Sequence, residues 1–311
     1  MEGIIKAVCI SLKRGTAKKN IHEAEFIKDF GIKNDAHAGN WHRQVSLLSA
    51  DKVSEFNKKG GNVSDGDFGE NLLVEGIDFS SLPVGTILKC NDTVLEITQI
   101  GKDCHSHCEI FKRVGDCIMP REGVFARVIK GGYIKEGDVM TVEFNKEKKF
   151  TAAVITLSDK GSIGERVDKS GPKVKEILEE NGYEVTEYLL LNDDKENLSK
   201  NLIRLSDQRQ VNLIITTGGT GFSPRDNTPE ATMAVMTRNA PGIAEAIRFE
   251  SMKYTKRAML SRGVSVIRNN TLIINLPGSE KAVKESMEVI MGTVEHGIKI
   301  LINEAHDCAE V

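Results

Sequence analysis

No apolar run in this chain approaches the roughly 20 residues that a bilayer requires. The opening Met1-Glu2-Gly3-Ile4-Ile5-Lys6 also lacks the pattern of a secretory leader. No membrane association is expected, and the expected location is the cytoplasm. An excess of one charge is missing too. With 42 Lys and Arg against 45 Asp and Glu, the formal net charge is −3, which argues against nonspecific nucleic-acid binding. Cysteine is sparse, six in 311 residues, and in a reducing compartment reads as thiols or ligands rather than as a disulfide framework. Two common phosphate-binding signatures are absent: no Gly-Lys-Ser/Thr follows the chain's glycine-rich turn, and that turn is not GxGxxG. What remains has the composition of a globular protein, 40% hydrophobic and 28% charged, and is long enough for two domains.

The richest stretch is residues 216–229, TTGGTGFSPRDNTP. Before it, Val211-Asn212-Leu213-Ile214-Ile215 reads as a buried parallel strand. After it, Thr228 suits a helix N-cap, Pro229 the first helical position and Glu230 the first turn. Three glycines within four residues let the backbone pass close to a ligand and turn its N–H groups toward an anion. The following helix adds its positive end. Asp226 lies inside this loop, where a carboxylate facing phosphates makes chemical sense if it holds a cation. A bare GGTG also occurs as nothing more than a tight turn.

Residues 1–145 read as many short strands with frequent turns, a β-barrel or sandwich, with one helix near 49–59 that Gly60-Gly61 would end. Three clusters stand out: residues 34–44 (NDAHAGNWHRQ, including His37 and the only tryptophan), residues 66–72 (GDFGENL), and Cys104-His105-Ser106-His107-Cys108, with Cys117 further on. The last cluster admits three readings. It is a reactive thiol beside histidines that lower its pKa, a zinc site lacking its usual distant second pair, or plain structure. Residues 146–150 are a charged linker. Residues 151–311 then alternate strand and helix, an α/β three-layer domain with a mostly parallel sheet, whose ligands belong at the carboxyl ends of the strands. Ser158, Asp193-Asp194, the glycine loop with Asp226, and Pro277-Gly278 all fall at such ends. Singly, each has a bland reading, Asp193 or Asp194 as a helix cap and Pro277-Gly278 as a turn. Four such loops at one edge point to a ligand site.

The string TTGGTGFSPRDNTPEA, with LSD (157–159), LNDD (191–194), PGIAEAIR (241–248), LSRGV (260–264) and LIINLPGS (272–279), resembles the MogA/MoaB family of molybdenum cofactor biosynthesis proteins across the whole second half. GDFGENL, DAHAG, RQVSLL and GVFARVIKGGYIKEGD (123–138) resemble a MOSC domain across the first. The first resemblance implies a molybdopterin adenylyltransferase, joining molybdopterin to AMP from Mg-ATP with release of pyrophosphate. It implies Asp193 and Asp226 as catalytic residues holding Mg2+, with Ser261 beside them. Ser158, Thr217, Gly218, Gly219, Thr220, Gly221, Arg262, Pro277 and Gly278 would bind molybdopterin and ATP, Arg262 by contact with phosphate. Asn192, where relatives often carry proline, is a departure from the family pattern. The second resemblance implies a functional cysteine, Cys108 ahead of Cys104 and Cys117, near His37, handling the cofactor or its sulfur. Molybdenum-insertion or sulfur-donor proteins are the implied partners, and a trimer or hexamer the implied assembly. The alternatives are a non-catalytic cofactor carrier and sulfur transfer through a MOSC cysteine.

Overall fold

The computed structural model describes residues 1–102, 109–144 and 149–303. Cys104, Cys108 and most of the expected linker lie outside the described residues. The chain divides into two compact units, Met1–Lys148 and Lys149–Val311.

In the first unit the strands are β1 (Glu2–Ile10), β2 (Lys19–Asn20), β3 (Glu23–Ile27), β4 (Gly31–Ile32), β5 (Val45–Ser49), β6 (Leu72–Glu75), β7 (Ile87–Cys90), β8 (Thr93–Ile100), β9 (Val124–Lys130), β10 (Gly132–Lys135) and β11 (Val139–Glu143). Among the described residues, seven of them run in the order β11-β7-β8-β9-β5-β6-β1, and β1 pairs back onto β11. The result is a closed barrel, with β5–β6 its parallel pair, and closure removes the free sheet edges. Alternate residues of β8, Leu95 and Ile97, point into a core with Leu88, Val124, Ala126 and Val128. Helix α1 (Ala50–Lys58) turns Val53 and Phe56 inward, and Gly60, at φ 93°, ends it. The small sheet β10-β3-β4 and the short helices α2 (Glu109–Val114) and α3 (Met119–Glu122) are not expected from the sequence. Elements this short carry too few residues to show a period.

The GDFGEN segment ties the barrel to a neighbouring loop. Gly66, at φ 86°, accepts from Lys18 N–H at 3.0 Å and donates its own N–H to Glu70 Oε1 at 2.6 Å. Asn71 donates to Cys9 O at 2.9 Å and accepts from Ser46 N–H at 3.0 Å. The Lys18 ammonium lies 2.8 Å from both Asp35 oxygens, the two side chains almost wholly buried.

Glu70 is fully buried, and burial pushes its carboxyl up from 4.5 to about 7, with Asp65 and Asp67 adding to the rise. The folded unit therefore keeps a proton that the unfolded chain releases near 4.5. Stability linked to this proton is complete below 4.5 and is lost as pH rises through about 7. The sole tryptophan, Trp41, lies in this unit and reports its unfolding alone. Denaturant unfolding followed by Trp41 fluorescence should show stability falling by about 2 kcal/mol between about pH 5 and about pH 8. Glu70→Gln, which keeps an acceptor for Gly66, should remove that part of the slope. An unchanged slope in the variant would show that another group carries it.

The second unit contains β12 (Thr151–Leu157), α4 (Asp159–Ser162), α5 (Ser170–Glu180), β13 (Glu184–Leu191), α6 (Lys195–Ile203), β14 (Leu213–Thr217), α7 (Thr228–Val235), β15 (Arg238–Asn239), α8 (Pro241–Ser251), β16 (Ser265–Arg268), β17 (Thr271–Leu276) and α9 (Glu280–Leu301). The sheet order is β13-β12-β14-β17-β16-β15, the first four strands parallel and the β17–β16 and β16–β15 pairs antiparallel. Period-two alternation divides each central strand between two cores. Ala152 and Val154 of β12 join Val174 of α5, Ile247 of α8 and Met287 of α9 on one face. Ala153, Ile155 and Leu157 join Leu198 of α6 and Val235 of α7 on the other. Because α5 and α6 lie on opposite faces, the crossovers change side between β12 and β14, and in such sheets ligands bind there, at the strands' carboxyl ends.

Candidate functional site

Four loops meet at that edge of the second unit. After β12, Ser158 caps α4, its Oγ accepting from Gly161 N–H at 3.0 Å. After β13, the cap of α6 is Asp194, which accepts from Asn197 N–H at 2.7 Å. That leaves Asp193 for another task. Its Oδ2 accepts from Asp159 N–H at 3.2 Å, while Asp193 N–H donates to Asp159 Oδ1 at 3.0 Å. This reciprocal pair fastens the first two loops together.

The glycine loop follows β14 and is shaped by close approach. Gly218 and Gly219 sit at φ 97° and 63°, a region that L side chains avoid. A Cβ on Gly218 would collide with Leu157 O. One on Gly219 would lie 3.1 Å from Asp193 Oδ1, and one on Gly221 would lie 2.8 Å from Asp226 Oδ2. Both carboxylates therefore reach the loop backbone. Gly278, after β17, comes close enough that its Cβ would sit 3.2 Å from Gly218 Cα. Thr217 Oγ1 donates to Pro277 O at 2.8 Å, completing the junction.

Among the described residues, the N–H groups of Gly219, Thr220 and Gly221 find no protein acceptor, while Gly218 N–H is engaged by Leu276 O at 3.2 Å. Three unengaged donors in a left-handed turn ahead of a helix make a concave anion site. The carboxylates beside them repel one another. Burial raises the Asp193 pKa, and the nearby charges of Asp159 and Asp226 raise it further. Asp159 is held below the usual carboxylate range by Arg225, whose Nε and Nη2 reach its two oxygens at 2.7 Å each.

Two expectations change in detail. Thr228 does not cap α7; it is the helix's first residue, and its hydroxyl donates to Gly218 O at 3.0 Å. The loop carbonyl outcompetes the cap. Arg262 directs its guanidinium inward: Nε donates to Gly221 O at 2.7 Å, Nη2 to Asp226 O, and Nη1 pairs with Glu230. Its backbone N–H donates to Thr220 O at 2.9 Å. It frames the loop. Ser261 precedes it, its Oγ 3.4 Å from Gly263 N. Buried Asn275 holds this segment, accepting from Val264 N–H at 3.2 Å and donating to Thr216 and Thr232 Oγ1 at 2.9 and 3.0 Å.

Sequence reading places Asp159 and Arg225 in candidate loops without a role of their own, and does not single out Asn275 or Asp168. Asp168 accepts from Ser170 N–H at 2.9 Å and Gly171 N–H at 3.1 Å, fixing the start of α5. For Asp159 and Arg225 a signal exists, opposite charges in two loops of one sheet edge. Neither Asn275 nor Asp168 carries one.

In the first unit, Trp41 Nε1 donates to His37 O at 3.0 Å and His42 Nε2 lies 2.9 Å from Gln99 Oε1, so loop 34–44 leans on the end of β8. His37 Nδ1 stands 3.8 Å from Asp35 Oδ2, and burial and the Lys18 charge lower its pKa. Cys117 is buried, packed with Phe56, Phe68, Ile118 and Met119, a core thiol by environment.

The glycine geometry is directly testable. Gly218→Ala should destabilise the second unit by about 2 kcal/mol or more. Gly292→Ala, in the middle of α9 with open space around it, should stabilise by about 0.5–1 kcal/mol. Denaturant unfolding followed by far-UV circular dichroism measures both, and equal stabilities would contradict the close approach to Leu157.

Comparison with known proteins finds a match for each unit. Residues 153–296 match the family described as a probable molybdopterin binding domain, and residues 34–141 match the MOSC domain. The molybdopterin adenylyltransferase of Helicobacter pylori strain J99 is 38% identical over 151 residues, covering 48% of this chain and 86% of that protein. The enzyme of the same name from Escherichia coli K12 is 39% identical over 152 residues, covering 47% and 77%. A crystal structure of the molybdopterin biosynthesis enzyme MoaB from Thermus thermophilus is 40% identical, with a TM-score of 0.48, covering 50% of this chain and 97% of that one. By its second half, this chain belongs to the MogA/MoaB-type family of probable molybdopterin binding domains, carried behind a MOSC domain.

Proposed function

We propose that the second unit is a nucleotidyltransferase that joins molybdopterin to AMP from Mg-ATP and releases pyrophosphate. The observation that carries this reading is the meeting of two carboxylates, Asp193 and Asp226, with three unengaged N–H donors of one glycine loop. Backbone amides of Gly219, Thr220 and Gly221 hold phosphate oxygens, and Thr217, Pro277 and Gly278 keep the loop in place. Ser158 and Ser261 line the two sides. The relatives named molybdopterin adenylyltransferase support the substrate assignment.

The donor set also fits Mg2+. Among the described residues, no group of three or more His, Cys, Asp or Glu side chains could hold a metal. Two carboxylates completed by substrate phosphates is the arrangement that magnesium uses, in preference to an all-protein cage. Asp193 and Asp226 would hold the ion, which when bound supplies charge neutralisation to the reacting phosphates. Asp193, whose pKa burial raises and the charges of Asp159 and Asp226 raise further, favours such a counter-charge.

The first unit we assign to handling the cofactor or its sulfur through Cys104 or Cys108, with sulfur-donor or molybdenum-insertion proteins as partners. Self-association, as the trimer or hexamer that the family resemblance implies, would cover the exposed Phe249, Met252, Tyr254, Met259 and Leu260. This activity belongs in the cytoplasm, where ATP is supplied. No described helix is long and apolar enough to cross a membrane.

Pyrophosphate release by the full chain with molybdopterin and Mg-ATP tests the assignment. The parent should turn over. Asp193→Ala and Asp226→Ala should each lose on the order of 10²- to 10⁴-fold in rate, and chelation by EDTA should stop the reaction until Mg2+ is restored. Cys108→Ala should retain adenylylation. Molybdopterin binding without pyrophosphate from any of them would leave a carrier instead of an enzyme.

A further inference from the structure

We propose that Arg225 is the guanidinium that meets the polyphosphate of the nucleotide, and that its ion pair with Asp159 is a resting position from which it is handed over. The inference rests on the adenylyltransferase reading and deepens it, naming a substrate contact within the same site.

Two arginines border the glycine loop, and the structure gives them different work. Arg262 is tied inward at three nitrogens, to Gly221 O, Asp226 O and Glu230. Moving it would strip two loop carbonyls of these donors, so it serves as a frame. Arg225 belongs to the loop itself, next to Asp226, and its side chain is 62% exposed. Its side-chain hydrogen bonds go to the Asp159 carboxylate, which is itself 41% exposed. Exposed ion pairs contribute little to stability, so this contact is easily left. A polyphosphate also offers pairs of oxygens to a guanidinium fork, with more charge.

The surroundings favour the exchange. Asp159, Asp193 and Asp226 converge on the loop, and Arg225 is paired with the first of them. Asp193 and Asp194 in turn act on the guanidinium from the neighbouring loop. Leaving Asp159 would not undo the link between the first two loops, because that link is made by the backbone N–H of each aspartate to the carboxylate of the other. The frame can stay while the guanidinium moves.

The pair also predicts an asymmetry that a purely structural clamp would not show. Removing the arginine takes away a phosphate contact, whereas neutralising Asp159 removes a competitor for it. Calorimetric titration of the full chain with Mg-ATP measures both. Arg225→Ala should weaken ATP binding about ten- to a hundredfold, the scale of one lost charge-assisted contact. Arg225→Lys, which keeps the charge but not the fork, should fall between parent and Ala. Asp159→Asn, which still accepts from Asp193 N–H, should bind ATP as tightly as the parent or more tightly. Equal weakening in Arg225→Ala and Asp159→Asn would overturn the proposal in favour of a structural clamp. So would parental affinity in Arg225→Ala. A parent that binds no ATP would sink the adenylyltransferase reading itself, and this assignment with it.

Discussion

How closely one backbone can pass over another decides the shape of the second unit's site. The chain leaving β14 crosses the last carbonyl of β12 at Gly218, where a single added carbon would collide with Leu157 O. From that contact the rest follows. The loop must turn left-handed at Gly218 and Gly219, which aims the next amides outward. Gly278 sits close against it, where an added carbon would be tight at 3.2 Å from Gly218 Cα, and Thr217 bonds Pro277 O. The parallel order of β13, β12, β14 and β17 brings Asp193 and Asp226 to the same place, because all four strands end at one edge. The carboxylates are thus consequences of topology, and the glycines of proximity.

Much of this is legible in the sequence because it rests on local rules. Apolar runs bounded by glycine and asparagine mark β12, β14 and the β16–β17 hairpin around Asn269-Asn270, and the final helix shows its period over six turns. The Asp193 and Asp194 ambiguity cannot be resolved there, since either residue type caps a helix. Only the bond from Asn197 assigns that duty to Asp194. Arg262 reads as a phosphate ligand because an arginine beside a glycine loop has that chemistry. Its inward direction depends on Glu230 and on two carbonyls far away in sequence, which no local pattern records. In the barrel the strands β1, β5, β7, β8, β9 and β11 are visible, whereas the two-residue strands and short helices are not.

The two units handle buried polarity differently. In the α/β unit, the polar groups of the site gather at the strand ends, and buried Asn275 is satisfied by Thr216, Thr232 and Val264. In the barrel, Lys18, Asp35 and Glu70 are sealed inside. A sealed ion pair costs desolvation and is weak evidence for stability. What it supplies here is register: Ser11, Asp35 and Lys18 come from three separate segments, and Asp35 also accepts from Ser11 N–H at 2.9 Å. Asn71 plays the same part between β1 and β5.

Four loops from distant parts of the chain, beginning at Ser158 and ending at Pro277, make one site in the second unit. None of them can hold its place before the central strands have paired, and β17 is last in sequence among the parallel four. Such non-local pairing is slow to form, and any form of this unit in which these strands are unpaired lacks the site. A ligand that grips it binds the finished sheet alone and withdraws finished molecules from the unfolding equilibrium. The supply of substrate would then govern how long the protein survives in the cell as well as how fast it works.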